Sequence, residues 1–444
     1  MQQIIDLVEQ NQYTKARAEL LKMNPVDIAH LLEKPPLEKS LILFRILPKD
    51  IGADVFSYMS SEQQKYIVGN ITDKEIRSIL DKLYFDDTID FLEEMPANFV
   101  KKVLKNADEN TRQLLNQFLN YPENSAGSLM TIEFVDLKKE MTVREALKHI
   151  KETGFDKETF DTCYVINDQR QLEGIVTIRR IILSDEDVLI KDIMETNITY
   201  VHTLDDQEDV AAKFIKYDLM TMPVVDNEKR LVGIITVDDI LDIIEEEATE
   251  DFQIMAGIAP VEDAYLKTDV LTLAKHRIGW LLILMISATF TANIVKRFED
   301  ILQSSVLLAA FIPMLMDTGG NAGSQSSTLV IRGIALGEIE SHDIFKIIIK
   351  ELLVGIIVGT VLAGVNFLRL YFIEKVTLTI TATVCISLFF TVLMAKVVGG
   401  ILPLVAKRFN VDPAIMASPL ITTIVDAAAL TIYFILASNL LHIS

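Results

Sequence analysis

The feature that most constrains this chain is a series of five apolar runs in its C-terminal part. Crossing the hydrocarbon core of a bilayer takes roughly 20 mostly apolar helical residues, and these runs are of that order. The first run begins only at residue 278. The runs occupy residues 278–295, 304–331, 352–368, 376–395 (or on to 404) and 413–441. The sequence therefore predicts a membrane domain of five helices, which places the two termini on opposite sides.

The part of the chain before the first run is polar and acidic. The formal net charge of the whole chain is −21, which disfavours binding to nucleic acid or anionic lipid through charge. The initial segment MQQIIDLVEQ lacks the basic stretch and long apolar core of a signal peptide. With the N-terminus inside, eight basic residues flank the inner ends of the runs and four the outer ends, in agreement with the positive-inside rule. The polar part is therefore expected in the cytoplasm.

Two of the apolar runs contain polar side chains that need an explanation. Asp426 lies in the middle of the fifth run, without a Lys or Arg in that run to neutralise it. Ionisable groups at membrane depth usually face a partner or a water-filled path. The alternative is a protonated, hydrogen-bonded Asp with a structural role only.

The second run contains the segment PMLMDTGGNAGSQSS, residues 313–327. Irregular backbone at membrane depth is tolerated only where it is buried or lines a cavity. The alternative is a Gly-rich face for close helix packing, which does not account for Asn321 and Gln325 beside Asp317. The segment is not a phosphate-binding loop, because no GK[ST] follows the glycines.

No enzyme is indicated by the reactive residue types. Cys163 and Cys385 lie too far apart to indicate a disulfide framework or a zinc site. The six histidines are scattered, without the spacing of zinc ligands. No catalytic residues are predicted.

Residues 130–250 contain an internal repeat. The segment 163–181 aligns with 222–240, so that Gly174 matches Gly233. Each copy consists of a helix, two short apolar strands and a second helix. Two such copies in tandem resemble a pair of CBS domains, which is a regulatory module. Such pairs often bind adenine nucleotides through a Gly-hydrophobic-x-Thr-x-x-Asp pattern, which residues 233–239 fit. Arg180 replaces the Asp in the first copy and disfavours nucleotide there.

The remaining polar segments are predicted to be helical. Residues 1–129 contain short amphipathic stretches that are interrupted by Pro or polar residues, as in armadillo-type helical stacks. Residues 236–251, TVDDILDIIEEEATED, hold eight acidic side chains and no basic one. Two carboxylates about 4 Å apart repel by about 1 kcal/mol in water and about 4 kcal/mol at an effective dielectric constant near 20. Divalent cations would remove this repulsion, whereas the plainer reading is a solvated acidic helix.

The order of these segments, with PMLMDTGGNAGSQSS and DPAIMASPLITTIVDAAALTIYF, resembles the MgtE family of magnesium channels over the whole chain. The resemblance implies a multidomain membrane protein with an all-α superhelical N-domain, an α/β tandem CBS pair, an α-helical connecting (plug) helix and a five-helix transmembrane domain. The expected bounds are 1–129 for the N-domain, 130–194 and 195–246 for the CBS domains, 247–274 for the connecting helix and 275–444 for the membrane domain.

The resemblance also implies a homodimer in the cell inner (plasma) membrane, with the ion path on the two-fold axis and Mg²⁺ as both transported and regulatory ion. ATP is a possible ligand of the CBS pair. The expected pore residues are Asp426, Asp317, Gly320, Asn321 and Gln325. The expected ligands of regulatory Mg²⁺ are Asp206, Glu208, Asp218, Asp239, Asp242, Glu247, Glu250 and Asp251, with Asp86, Asp87 and Asp90 of the N-domain.

Two other functions are compatible with parts of this pattern. A membrane-anchored CBS nucleotide sensor without transport would leave the polar second run and Asp426 unexplained. A CBS-regulated anion channel would need basic residues or helix N-termini at its pore, and the runs carry acid instead. The residues do not distinguish Mg²⁺ from Mn²⁺, Co²⁺ or Ni²⁺, or a channel from a carrier.

Overall fold

The computed structural model describes residues 2–261, 265–266 and 268–441. The chain divides into two compact units, Met1–Ile243 and Ile244–Ser444, and each is described separately. The first, here called the cytosolic unit, holds the short helices and all the strands that the structure describes. The second, here called the membrane unit, is helical.

The N-terminal part of the cytosolic unit is a stack of short helices. Helices end after two or three turns because Pro or a capping residue starts the next one, as Asn24 and Thr72 do with side chains that accept backbone N–H groups. Helix α3 packs on α5, α5 on α7 and α7 on α9, which is the arrangement of a superhelical stack. The helices are α1 (Gln2–Glu9), α2 (Tyr13–Leu20), α3 (Pro25–Leu32), α4 (Leu37–Arg45), α5 (Lys49–Ser57), α6 (Ser61–Asn70), α7 (Asp73–Leu80), α8 (Phe85–Glu93), α9 (Ala97–Asn106) and α10 (Glu109–Phe118).

The repeat forms two equivalent three-stranded sheets. In each sheet the first two strands are parallel and the last two antiparallel, in the orders β1-β2-β3 and β4-β5-β6. The first copy follows α11 (Ala126–Leu129) and comprises β1 (Asp136–Leu137), α12 (Val143–Thr153), β2 (Thr162–Ile166), β3 (Leu172–Thr177), α13 (Ile178–Ile182) and α14 (Ile190–Ile193). The second comprises β4 (Val201–His202), α15 (Gln207–Tyr217), β5 (Thr221–Val225), β6 (Leu231–Thr236) and α16 (Val237–Met255).

The two glycines that align in the repeat, Gly174 and Gly233, occupy equivalent positions in their sheets. Gly174 pairs with Val165, and Gly233 with Val224, at matching registers. A Cβ on Gly233 would lie 2.7 Å from the carbonyl oxygen of Thr131, and one on Gly174 would lie 3.1 Å from that of Glu195. In the second copy the neighbouring backbone therefore lies too close for any side chain, and in the first copy backbone and the side chain of Met194 leave little room for one.

The membrane unit contains, among the described residues, five helices long and apolar enough to cross a membrane. They are α17 (Val270–Arg297), α19 (Val306–Ala335), α20 (Ile344–Leu368), α21 (Leu378–Arg408) and α22 (Ser418–Leu441). A short helix, α18 (Glu299–Ser304), precedes α19, and a π-helical turn, Arg369–Ile373, extends α20. Helices α19, α21 and α22 pack against one another around a core that includes Leu315, Val392 and Val425.

Candidate functional site

Helix α19 presents a polar face at membrane depth. Asp317, Asn321 and Gln325 are spaced by four residues and therefore lie on one side of the helix. All three are exposed in the isolated protomer. The helix is continuous from Val306 to Ala335 and includes Pro313, so the Gly-rich segment does not break it. Of the two explanations left open by the sequence, close packing is the correct one for the glycines.

The glycines of α19 lie on the faces that touch other helices. A Cβ on Gly320 would lie 2.9 Å from Cγ2 of Thr422, and one on Gly323 would lie 2.7 Å from Cγ2 of Ile421, both on α22. A Cβ on Gly319 would lie 2.7 Å from Cγ2 of Thr391 on α21. These distances are shorter than any side chain tolerates, so the glycines set the approach of α19 to its neighbours. Gly320 therefore has a packing role and supplies no side-chain ligand.

Asp426 on α22 completes the acidic part of this region. Its Oδ1 is buried, and no hydrogen-bond donor among the described residues reaches that atom. Its carboxyl group interacts electrostatically with that of Asp317 on α19. An unsatisfied carboxylate oxygen beside a second acid favours a cation or ordered water between them.

A buried lysine, which the sequence pattern did not indicate, adjoins the polar face of α19. The ammonium of Lys396 on α21 donates to Oε1 of Gln325 at 3.0 Å. Glu351 on α20 accepts a hydrogen bond from Ser326 Oγ at 2.5 Å. The apolar sequence VVGGILPLV that follows Lys396 was the available signal, because it shows that the helix continues past the charge.

The cytosolic unit contains a cluster of buried acids. Ligand atoms of Asp86, Glu133 and Glu158 lie within 4.8 Å of one another, a group compact enough for a metal among the residues that the structure describes. Asp86 is 6% exposed. The sequence indicated Asp86 but neither glutamate, because the three residues come from distant segments. Carboxylate oxygens are the ligands that Mg²⁺ prefers.

The pKa values of this cluster are raised, first because the groups are buried and then because their neighbours are acids. Burial and Asp87 raise the pKa of Asp86 to about 7, and burial and Asp239 raise the pKa of Asp87 to about 7. Burial and Asp86 raise the pKa of Asp239 to about 7 and that of Glu158 to about 9. The pKa of Asp90 is raised well above its usual value by burial and by Asp239. The predicted residues Asp86, Asp87, Asp90 and Asp239 are thus electrostatically coupled.

A second acidic group lies in the membrane unit, at the end of α16. Burial raises the pKa of Asp251 to about 6, with further contributions from Asp412, Glu247 and Glu250, whereas Arg332 opposes the rise. Asp412 precedes α22 and accepts a hydrogen bond from the backbone N–H of Ala414 at 2.7 Å. The sequence indicated three of these four acids and missed Asp412.

Two of the other predicted ligands lie at the ends of helix α15. Asp206 caps α15 by accepting the N–H of Glu208 at 2.9 Å, and Asp218 ends that helix in a left-handed conformation with φ 51°. Asp242 lies on α16, three residues after Asp239. Helix capping explains the presence of Asp206 without a metal.

The fold and these sites define the class of protein. Membrane helices with a polar face and a mid-span acid, attached to a helical domain and a CBS pair, are the parts of a membrane transport protein with regulatory domains. Family models agree: residues 312–436 match a divalent cation transporter model, MgtE, and residues 23–124 match the MgtE intracellular N domain. Residues 126–186 and 190–246 each match a CBS domain.

Relatives extend this match over nearly the whole chain. The chain is 35% identical over 434 residues to the magnesium transporter MgtE of Thermus thermophilus, covering 97% of this chain and 96% of the relative. It is 31% identical over 439 residues to the magnesium transporter MgtE of Bacillus subtilis, covering 99% and 97%. The chain therefore belongs to the MgtE family. The family resemblance and the multidomain fold class predicted from the sequence are confirmed.

Solved structures resemble the cytosolic part. The cytosolic domain of the Mg²⁺ channel MgtE in complex with ATP matches with a TM-score of 0.52 and 34% identity, over 54% of this chain and 98% of that one. The soluble part of a magnesium transporter matches with a TM-score of 0.52 and 29% identity, over 55% and 96%.

Proposed function

We propose that this chain is a magnesium-selective channel or transporter of the cell membrane, closed by cytosolic Mg²⁺ that binds between its acidic faces. The observation that carries the proposal is the polar face of α19 beside Asp426. A row of exposed polar side chains on a membrane helix is costly against lipid. Water or a second copy of the chain must therefore cover Asp317, Asn321 and Gln325.

A homodimer with a water-filled path on its two-fold axis would meet this requirement. Each copy would contribute one Asp426, so the path would carry two carboxylates for one divalent ion. Mg²⁺ dehydrates reluctantly and prefers octahedral oxygen coordination. Carboxylate and amide oxygens could then hold the hydrated ion by accepting hydrogen bonds from its water shell.

The buried acids support the regulatory part of the proposal. In the N-domain and the CBS pair, the charged groups that act on Asp86, Asp87 and Asp239 are other carboxylates. The connecting helix carries a further acidic group around Asp251. Mg²⁺ would relieve this repulsion and favour the packed, closed state only by binding it more tightly. Shifting a two-state equilibrium from 1:99 to 99:1 takes about 5.5 kcal/mol, which several sites could share.

Transport of Mg²⁺ into liposomes that contain the purified chain tests the path. Asp426→Asn removes the charge with little change in shape, and we expect it to abolish or strongly weaken Mg²⁺ flux, as we do for Asp426→Ala. Asp300→Asn is the matched control, because Asp300 is an exposed aspartate outside the spans. Wild-type flux in Asp426→Asn would refute the assignment. A membrane-anchored nucleotide sensor would show no flux even as the wild type.

The CBS pair is a second candidate ligand site, for ATP. The related cytosolic domain was solved with ATP, and in this chain Thr236 of the second copy donates to Oδ2 of Asp239 at 2.8 Å, which joins the two polar residues of the pattern. Arg180 stands at the Asp position of the first copy and argues against that copy. Calorimetric titration of the purified chain with ATP, with and without Mg²⁺, tests this proposal.

A further inference from the structure

Lys396 is a buried cation at membrane depth. It lies on α21, with ten residues of the helix between it and Lys407 in the last turn, and it is 5% exposed. Burying an ammonium group costs several kcal/mol unless it is paired and hydrogen-bonded. Its amine donates to Oε1 of Gln325 on the polar face of α19. A neutral amide alone does not compensate the charge.

Glu351 on α20 supplies an opposite charge that acts electrostatically on Lys396. Its carboxylate accepts the hydroxyl hydrogen of Ser326, a side chain that is 1% exposed and follows Gln325 directly. A Cβ on Gly400, one turn beyond Lys396, would lie 2.9 Å from Cγ of Glu351. Because Gly400 has no side chain, the side chain of Glu351 can lie against α21 at this position.

The same glycine stretch brings the helices together. A Cβ on Gly399 would overlap the carbonyl oxygen of Gly323, so α21 and α19 touch through backbone at this level. Two successive residues of α19, Gln325 and Ser326, are thereby held by opposite charges from two neighbouring helices. An ammonium group can only donate, so Gln325 is held with its amide oxygen towards Lys396.

Gln325 shares its face with Asp317 and Asn321, so the charge of Lys396 lies one side chain away from the candidate ion path. An uncompensated positive charge there would repel a divalent cation with twice the Coulomb energy that acts on a monovalent one. The opposite charge of Glu351 offsets part of this field.

We propose that Glu351 and Lys396 form a compensated charge pair that positions Gln325 and sets the preference of the path for divalent over monovalent cations. The proposal rests on the proposed function, in which this face of α19 lines the path. Removing the acid and removing the base then have opposite electrostatic consequences, although both break the same network.

The test measures Mg²⁺ and Na⁺ flux in liposomes for Glu351→Gln, Lys396→Met, the double variant and Glu351→Asp. Glu351→Gln leaves a bare cation, and we expect about tenfold or greater loss of Mg²⁺ flux with a lower Mg²⁺/Na⁺ ratio. Lys396→Met should keep or raise that ratio, and the double variant should restore the ratio that Glu351→Gln loses. Glu351→Asp keeps the charge and should keep the ratio even if flux falls.

Exposed residues of like charge provide the controls, and the outcomes are distinct. Lys350→Met and Glu338→Gln change exposed charges near the same helix ends and should leave the ratio unchanged. Equal ratios in the two single variants, or a Glu351→Asp variant as impaired in ratio as Glu351→Gln, would overturn the pair's role and leave a packing role. Absence of Mg²⁺ flux in the wild type would instead refute the proposed function. If Glu351→Gln cannot be reconstituted, the Mg²⁺/Na⁺ flux ratios of Glu351→Asp and of the double variant still test the role of the pair.

Discussion

Protons and Mg²⁺ should compete for the buried acids of the cytosolic unit. A carboxylate must be deprotonated to bind the metal, so a raised pKa makes binding release protons. The acids concerned are Asp86, with a pKa of about 7, and Glu158, with a pKa of about 9, in the compact group with Glu133. At pH 7.5 Glu158 is therefore mostly protonated and Asp86 mostly ionised before the metal binds.

The size of the effect follows from the number of protons displaced. Between pH 7 and pH 9 the metal displaces the proton of Glu158, and its apparent affinity should weaken about tenfold for each unit of pH lowered. Below pH 7 Asp86 adds a second proton, and the loss should approach about a hundredfold per unit.

The stability of the metal-free protein should change in the opposite sense. The pKa values of Asp86 and Glu158 in the folded state lie above the ordinary 3.8 and 4.5, so folding favours their protonated forms. Their contribution to the free energy of unfolding is present at low pH. It is lost as the pH rises through about 7 for Asp86 and about 9 for Glu158. Mg²⁺ should therefore raise the Tm of the cytosolic unit more at pH 8.5 than at pH 6.5.

Calorimetric titration of the full chain with Mg²⁺, in buffers of different ionisation enthalpy, counts the released protons directly. Glu158→Gln should reduce the proton release seen between pH 7 and pH 9. Glu152→Gln, an exposed acid of the same segment, should not. An Mg²⁺ affinity that does not change from pH 6.5 to pH 8.5 would refute the competition and the assignment of these acids as ligands.

Two further substitutions test packing and sensing. Gly320→Val should lower Mg²⁺ flux because its new side chain meets Thr422, whereas Gly364→Val on α20, where nothing lies within 4 Å, should conduct normally in the same liposome assay; normal flux in Gly320→Val would show that close approach there is dispensable. Neutralising four acids together should make transport activity insensitive to cytosolic Mg²⁺, with the open state favoured because the bridging ligands are lost; the four are Asp239, Asp242, Glu247 and Glu250. In this variant, proteolysis of residues 245–265 should no longer depend on millimolar Mg²⁺. If Mg²⁺ does not change the proteolysis of this segment in the wild type, the acidic helix is a passive linker.

The fold followed from the sequence where the determining pattern is local. The period between Gly174 and Gly233 predicted two equivalent units, and the strands pair at equivalent registers around these glycines. Helix-length apolar runs likewise predicted the five membrane helices. The polar face of α19 could be anticipated because a spacing of four residues fixes one side of a helix.

The partners of the predicted residues could not be anticipated, because they come from distant segments. Glu133 and Glu158 join Asp86 only through the packing of α8 against the CBS region. Lys396 directly follows the shorter of the two bounds predicted for the fourth apolar run, because a charge lowers hydropathy wherever it occurs. The structure instead buries it inside α21 and supplies Glu351 from another helix.

The buried charges of the two units are compensated in different ways. In the membrane unit, Lys396 and Glu351 compensate each other within the protein, so this pair needs no ion from outside. In the cytosolic unit, the main electrostatic neighbours of Asp86, Asp87 and Asp239 are other acids, so their charge can be relieved only by protons or by cations from solution. A built-in pair gives a constant field, which suits selection of an ion. Acids whose main electrostatic neighbours are other acids respond to ion concentration, which suits sensing.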